Sequence, residues 1–224
     1  MIKRWPWVSR ALAIWRKDLR IEFRTRYAYS ALLMFAITTL VAVSFSVGGA
    51  VLDADLSAAL LWLILFFTSM AGLSRAFVQE EEAGTVTALR LAARPDAVFI
   101  GKYLFNVTLL FSLDVLVVPL FWVLLQQTVA LPLSFLAVVL LGTAGLAGAS
   151  TMVAAIVAKA GARGPLMTVL AFPVLLPLLL GAISSTRTCF VGDKAIAADL
   201  LFLFCYNGVA LTASLLLFPY VWDE

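Results

Sequence analysis

The sequence predicts an all-α integral membrane protein with six transmembrane helices, and three observations support that fold class. Hydrophobic residues make up 63% of the 224 residues and charged residues only 13%, whereas a soluble domain carries about a quarter charged residues. The mean hydropathy is +1.05. Long apolar runs recur along the chain, and each crossing of a bilayer needs ~20 residues. We therefore expect one transmembrane domain over residues 1–224, with six spans and short loops.

The first 29 residues are basic and have a helical pattern. They hold eight Lys and Arg residues but only two carboxylates, Asp18 and Glu22. Apolar residues recur at steps of three and four, which predicts one apolar stripe on a helix. Ile14 and Ile21 interrupt this stripe. We expect an interfacial amphipathic helix whose basic face meets lipid headgroups; a basic tail that only sets topology is the alternative. The stripe is Val8, Leu12, Trp15, Leu19 and Phe23, opposite Arg10, Lys17, Arg20 and Arg24.

Six apolar segments follow, and the charges between them predict their orientation. The predicted spans cover residues 30–51, 56–77, 98–125, 131–158, 165–183 and 196–221. Lys and Arg are enriched in cytoplasmic loops. With a cytoplasmic N-terminus, the far side keeps only Arg187 and Lys194. We therefore expect both termini in the cytoplasm and one sizeable far-side loop at residues 184–195.

A charged segment at residues 77–102 separates the second and third spans and faces the cytosol in this topology. Its carboxylates precede its arginines, an order that complements a helix dipole. Pro95 ends such a helix, and Asp96 is placed to cap the third span. Residues 80–94 are therefore predicted to form a cytosolic coupling helix (segment 78–97); a solvated loop with one helical turn is the alternative. The charged residues are Glu80, Glu81, Glu82, Arg90 and Arg94, and Val86, Leu89 and Ala93 share one face.

Two features inside the spans are candidates for gating. Asp114 lies near the middle of the third span, where an ionised carboxylate costs at least ~2.5 kcal/mol. It is either a gating residue or a neutral carboxyl bonded to a neighbouring helix. In the fifth span Pro173 and Pro177 each remove a backbone donor, so a kinked or broken helix is expected. Small side chains at residues 142–151 favour close helix packing.

The sequence carries no recognisable enzymatic motif. It has no histidine, the commonest general acid or base and metal ligand. It also lacks the phosphate-binding GxxxxGK[ST], the GxSxG and the HExxH patterns. The two cysteines, Cys189 and Cys205, have no CxxC spacing. We expect no catalytic, cofactor or metal site and no nucleic-acid partner, so any ATPase activity belongs to another polypeptide.

Four stretches of the chain form one ordered pattern. They are RKDLRIEFRTR at residues 16–26, an E-x-G-T…L-x-L…G-K…N series at residues 82–106, FPVLLPLLLGA at 172–182 and LLLFPYVWDE at 215–224. This pattern resembles the haem exporter protein B (CcmB) family, the permease subunit of the cytochrome c maturation ABC transporter. Where the family usually carries a glycine after Gly-Thr, this chain has Ala88.

The resemblance implies a fold similar to type-2 ABC exporter permeases in a bacterial inner membrane. Two copies would pair with two copies of a separate ATPase subunit (CcmA-like), with haem-handling membrane proteins and with a periplasmic haem chaperone. ATP hydrolysis by the partner would support release of the haem-loaded chaperone, and the complex rather than this chain would handle haem. ATPase-contacting residues would be Glu80, Glu81, Glu82, Gly84, Thr85, Leu89 and Arg90, whose movement would tilt the second and third spans.

Three other functions remain open at this stage. Another ABC-2 permease, exporting a lipid, polysaccharide or drug, would share the charged segment but not the stretches at residues 172–182 and 215–224. An ion-coupled secondary transporter would carry internal repeats and several intramembrane polar groups, whereas Asp114 is nearly alone here. A passive membrane scaffold needs no catalytic residue at all.

Overall fold

The computed structural model of this chain describes residues 6–50, 52–73, 77, 80, 84–159, 165–193 and 195–223. All regular secondary structure in these residues is helical. Six of the helices are long and apolar enough to cross a membrane, which confirms the predicted fold class. The helices are α1 (Pro6–Thr25), α2 (Tyr27–Val47), α3 (Ala54–Leu73), α4 (Val86–Ala92), α5 (Pro95–Leu125), α6 (Pro132–Lys159), α7 (Pro165–Val191) and α8 (Ile196–Asp223).

Helix α6 lies at the centre of the bundle and packs against α3, α5, α7 and α8. Its glycines make this approach possible. A Cβ on Gly142 would lie 2.0 Å from Cη2 of Trp62, and one on Gly145 would lie 2.8 Å from Cδ1 of Leu178. The small-residue run therefore acts as a packing surface, as predicted.

Helix α1 lies along α5, a contact with protein that the sequence pattern did not predict. Ala11 and Ile14 are buried, and a Cβ on Gly101 of α5 would lie 2.8 Å from Ile14 and 2.9 Å from the Ala11 carbonyl oxygen. The residues of the predicted stripe remain partly or largely exposed, Phe23 at 75%. Helix α1 thus has two apolar faces: Ile14, which interrupts the pattern, packs on α5, while most of the stripe remains accessible.

Helix α7 corrects two expectations. It runs without interruption through Pro173 and Pro177, so of the two predicted forms, a kinked or a broken helix, the broken one is absent. It also continues to Val191, and residues 184–191 are helical rather than part of a long far-side loop. The hydroxyl of Thr188 donates to the Ser184 carbonyl at 3.0 Å. Gly192 ends the helix at φ 83°, with its N–H donating to the Thr188 carbonyl at 2.9 Å, because a left-handed residue closes a helix C-terminus.

The start of α5 also differs from the prediction. Arg94 is its N-cap residue, and Pro95 opens the helix, a position where the missing N–H of proline is harmless. Asp96 lies inside the first turn. It therefore does not cap the helix, although its charge still suits the positive end of the helix dipole.

Candidate functional site

Four charged side chains from three parts of the chain meet at the end of the bundle where α1 joins it. Lys102 Nζ donates to Glu80 Oε1 at 2.9 Å and lies 3.0 Å from Asp18 Oδ2. Lys17 Nζ donates to the same Glu80 oxygen and lies 3.3 Å from Asp18 Oδ1. The side chains of Asp18, Glu80 and Lys102 are 7%, 8% and 3% exposed. We call these four residues the ion cluster.

The ion cluster also holds the start of α4. The Thr85 hydroxyl donates to Glu80 Oε2 at 2.5 Å, and the Thr85 N–H donates to the Glu80 carbonyl at 3.0 Å. Gly84 between them has φ 65°, a left-handed conformation that a continuous α-helix does not contain. Helix α4 therefore begins at Val86, and the buried Glu80 carboxylate holds Thr85, its N-cap residue, in place. Residues 81–83 of the predicted coupling helix lie outside the described residues.

Pairing within the ion cluster favours the charged forms of Glu80 and Lys17. Burial alone would raise the pKa of Glu80, but the charge of Lys102 and the hydrogen bonds from Lys17 and Thr85 outweigh it and lower that pKa to about 2. For Lys17, burial opposes the charge, yet the hydrogen bond to Glu80 and the nearby Asp18 charge raise its pKa. Two positive and two negative groups balance, as buried charges require.

A second cluster, of aromatic rings, links α4 to the C-terminal end of α8. Trp222 lies 6.0 Å from Phe77 and 5.5 Å from Phe218, measured between ring centroids. The Arg90 guanidinium carbon lies 5.4 Å from the Trp222 ring centroid. Lys102 Nζ lies 5.8 Å from the Phe77 ring, so this aromatic cluster (Phe77, Phe218 and Trp222) borders the ion cluster.

The predicted coupling residues fall into three groups. Gly84, Thr85 and Arg90 are exposed and Leu89 is partly exposed, so they lie where a partner can reach them. Glu80 is 6% exposed, and a direct contact with a partner does not fit this burial because its oxygens are already occupied. Glu81 and Glu82 lie outside the described residues.

Sequence reasoning missed several members of the site. Leu91, 86% exposed, is the most exposed of the large apolar side chains that the structure describes. No sequence pattern links four further members, because they belong to separate motifs. These are Lys17, Asp18, Lys102 and Trp222. One signal was available for Lys102: it is a cation inside a long apolar helix, where an ionisable group needs a partner.

Asp114 lies apart from both clusters. It is 6% exposed, and the Thr143 hydroxyl of α6 donates to its Oδ2 at 2.6 Å. Asp114 and Thr143 line a small void between α3, α5 and α6, whose other lining residues are apolar except Thr68. Pro173 and Pro177 do not line this void. The geometry is that of a carboxyl bonded to a neighbouring helix, one of the two predicted alternatives.

No group of three or more Cys, Asp or Glu side chains suited to a metal ion occurs among the residues whose positions are described. Cys189 is buried, Cys205 is exposed, and both are free thiols. The described site consists of buried ion pairs, a cluster of aromatic rings and an exposed helix.

Comparison with known proteins gives the same assignment as the four sequence stretches. The profile of the family described as CcmB protein matches residues 9–221. A curated relative from Bradyrhizobium diazoefficiens, named "Heme exporter protein B", is 25% identical over 201 residues, which cover 89% of this chain and 90% of that protein. Both matches extend across nearly the whole bundle, and the predicted resemblance is confirmed.

Proposed function

This chain belongs to the CcmB protein family, and from that premise we propose that it is the membrane-spanning subunit of an ABC transporter for haem delivery in c-type cytochrome biogenesis. The name of the Bradyrhizobium relative, a heme exporter protein, supports this function. In the proposed complex, two copies of the chain in a bacterial inner membrane pair with two copies of a separate ATPase. Haem-handling membrane proteins and a periplasmic haem chaperone join them on the far side.

The observation that carries the proposal is helix α4. It contains no buried residue although it connects two membrane-spanning helices, α3 and α5. Leu91 is 86% exposed and lies in the seven-residue α4, away from the six candidate spans. The bundle does not cover it there. We assign Leu91, with Gly84, Thr85 and Arg90, to the contact with the ATPase.

The proposed path of motion differs from a simple tilt of the two neighbouring spans. Helix α4 is attached at its start through Thr85 and Glu80 to α1 and α5. Near its end, Arg90 contacts Trp222 of α8. A displacement of α4 by the ATPase is therefore passed to α1, α5 and α8 together. Glu80 serves as an anchor in this mechanism, and its burial is what suits it to that role.

The test is Leu91→Ser in a strain that lacks the chromosomal copy. We expect the ATPase no longer to copurify with the chain and haem-stained c-type cytochromes to fall. Leu133→Ser is the matched control, since Leu133 is 81% exposed but begins α6 at the opposite end. Full copurification of the ATPase with Leu91→Ser would overturn the assignment of α4.

The deletion strain separates the proposal from the other ABC-2 functions. Loss of haem-stained c-type cytochromes, restored by the wild-type chain, is the expected result. Normal c-type cytochromes in the deletion strain would instead favour export of a lipid, polysaccharide or drug. A copurifying ATPase distinguishes both from a passive scaffold.

A further inference from the structure

A cleft of about 470 Å³ opens where α1, α2 and α5 meet. Helix α1 packs along α5 but makes few contacts with α2, although only Arg26 separates α1 from α2 along the chain. The space between the two helices is left unfilled. Its volume falls within the range of ~300–1,000 Å³ that is usual for sites of small ligands.

The walls of the cleft are hydrocarbon. Leu19, Leu33, Phe105 and Leu109 line it, and the two hydroxyls that α5 contributes, those of Thr108 and Ser112, are already engaged. Thr108 accepts from Trp15 Nε1 at 3.1 Å and donates to the Leu104 carbonyl at 2.7 Å. Ser112 donates to the Leu109 carbonyl at 2.6 Å. The cleft thus offers an alkyl chain apolar contacts and leaves these hydroxyls paired.

The length of the cleft also suits an alkyl chain. Its lining runs along α2 from the Arg26 turn to Leu33, seven residues later. At ~1.5 Å per residue, this is a depth of about 10 Å from the interface into the membrane. A chain of carbon atoms in that position would continue the acyl layer that surrounds the bundle.

The mouth of the cleft carries one charge of each sign. Arg26 has the left-handed conformation φ 53°, which is uncommon for a residue other than glycine, and its N–H donates to the Glu22 carbonyl at 2.6 Å. The Glu22 carboxylate is oriented by the Tyr29 N–H, which donates to Oε1 at 2.8 Å. Within the described part of the chain, no carboxylate oxygen lies within 4.0 Å of the Arg26 guanidinium.

We propose that this cleft binds one phospholipid with an ethanolamine headgroup. Arg26 binds the phosphate, because a guanidinium pairs with phosphate oxygens in a two-pronged geometry. Glu22 binds the ammonium group through its remaining oxygen, and one acyl chain fills the space beside Leu33 and Leu109. A purely anionic headgroup would pair with Arg26 but would leave Glu22 facing a like charge. The charge pattern therefore favours a zwitterionic headgroup.

The experiment is native mass spectrometry of the purified full-length chain, titrated with phosphatidylethanolamine and phosphatidylglycerol of identical acyl chains. We expect one phosphatidylethanolamine per chain, bound about tenfold more tightly than phosphatidylglycerol, which corresponds to ~1.4 kcal/mol. Arg26→Gln should weaken phosphatidylethanolamine about tenfold, the effect of losing about one charge-assisted hydrogen bond. Glu22→Gln should abolish the preference between the two lipids. Equal retention of both lipids by the wild type overturns the headgroup assignment.

Two further variants make the test specific. Arg24→Gln is the matched control, because Arg24 is an exposed arginine two residues earlier, in the last turn of α1, that does not line the cleft. It should bind lipid as the wild type does; a loss equal to that of Arg26→Gln would mean general attraction to a basic helix. Ser112→Phe fills the cleft from α5 without altering either charge and should prevent binding. Wild-type binding by Ser112→Phe would show that no acyl chain occupies the cleft.

Discussion

Lys102 Nζ lies 2.9 Å from Glu80 Oε1, and this contact joins a membrane-spanning helix to Glu80, on the N-terminal side of the Gly84 turn where α4 starts. Both side chains are almost completely buried, 3% and 8% exposed. A buried ion pair is poor evidence for stability by itself, but removal of one partner leaves an uncompensated charge. Since Thr85 of that turn bonds the same carboxylate, the pair fixes where α4 begins and how it is attached to the bundle.

Loss of one member of this pair should destabilise the fold strongly. We expect Glu80→Gln and Lys102→Met each to lower the free energy of unfolding by about 3–5 kcal/mol, measured by thermal unfolding in detergent. Arg187→Gln is the control because its ion pair with Asp55 is exposed, 51% and 65%, and exposed pairs contribute about 0–1 kcal/mol. Equal losses for the buried and the exposed pair would contradict the anchoring role of Glu80.

The same pair predicts a response to acid. The pKa of Glu80 is lowered to about 2 in the folded chain, against about 4.3 for an unperturbed glutamate. Its contribution to stability is therefore complete above pH ~4.3 and is lost as the pH falls toward 2. In Glu80→Gln this part of the acid dependence should disappear, as measured from unfolding midpoints between pH 5 and 2. An unchanged acid profile would assign the loss to other carboxylates.

Gly101 should not tolerate a side chain. A Cβ there would lie 2.9 Å from the backbone oxygen of Ala11 and 2.8 Å from Ile14, and backbone contacts have little room to relax. Gly101→Ala should therefore separate α1 from α5 and lower stability by about 1–3 kcal/mol. Gly208→Ala is the control, because nothing lies within 4 Å of a Cβ at that position. The unfolding temperature of Gly101→Ala should fall below that of the wild type, whereas that of Gly208→Ala should not.

Trp222 should matter for coupling more than for assembly. Its removal breaks the contact with Arg90 and with the Phe77 and Phe218 rings, each worth about 0.5–1.5 kcal/mol. For Trp222→Ala we expect normal copurification of the ATPase but reduced c-type cytochromes at an unchanged membrane level. Trp222→Phe should restore part of the activity. Tyr220→Ala, at a position 74% exposed, is the control and should leave cytochrome levels as they are.

Asp114 is expected to act in packing. Asp114→Asn keeps an oxygen that accepts from the Thr143 hydroxyl, so c-type cytochrome levels should remain unchanged. Thr143→Val leaves the carboxyl without this donor and should lower the free energy of unfolding by about 1–3 kcal/mol. A fall in cytochromes with Asp114→Asn, at normal stability and membrane level, would assign gating to this carboxyl.

The spans were predicted within a few residues for five of the six helices. The exception is α7, whose polar C-terminal turns read as a loop. Serine and threonine hydroxyls there bond backbone carbonyls four residues earlier, as Ser185 does to Gly181 at 2.6 Å, so a polar sequence is accommodated in a buried helix. Hydropathy does not register these hydrogen bonds between hydroxyls and backbone carbonyls, and for this reason the C-terminal turns of α7 were predicted as a loop.

The sequence alone determined that the chain is a membrane protein, where its apolar helices lie and which family it resembles, because hydropathy and motif order are properties of neighbouring residues. Only the tertiary structure decided that four charged residues meet, that Ile14 packs on α5, and that α4 contacts α8. The four residues are Lys17, Asp18, Glu80 and Lys102. The contacts between separate segments join residues 22 or more positions apart in the chain, as Glu80 and Lys102 are, or depend on which helix face finds a partner. Burial and pairing across such separations depend on the three-dimensional packing, which no local pattern contains.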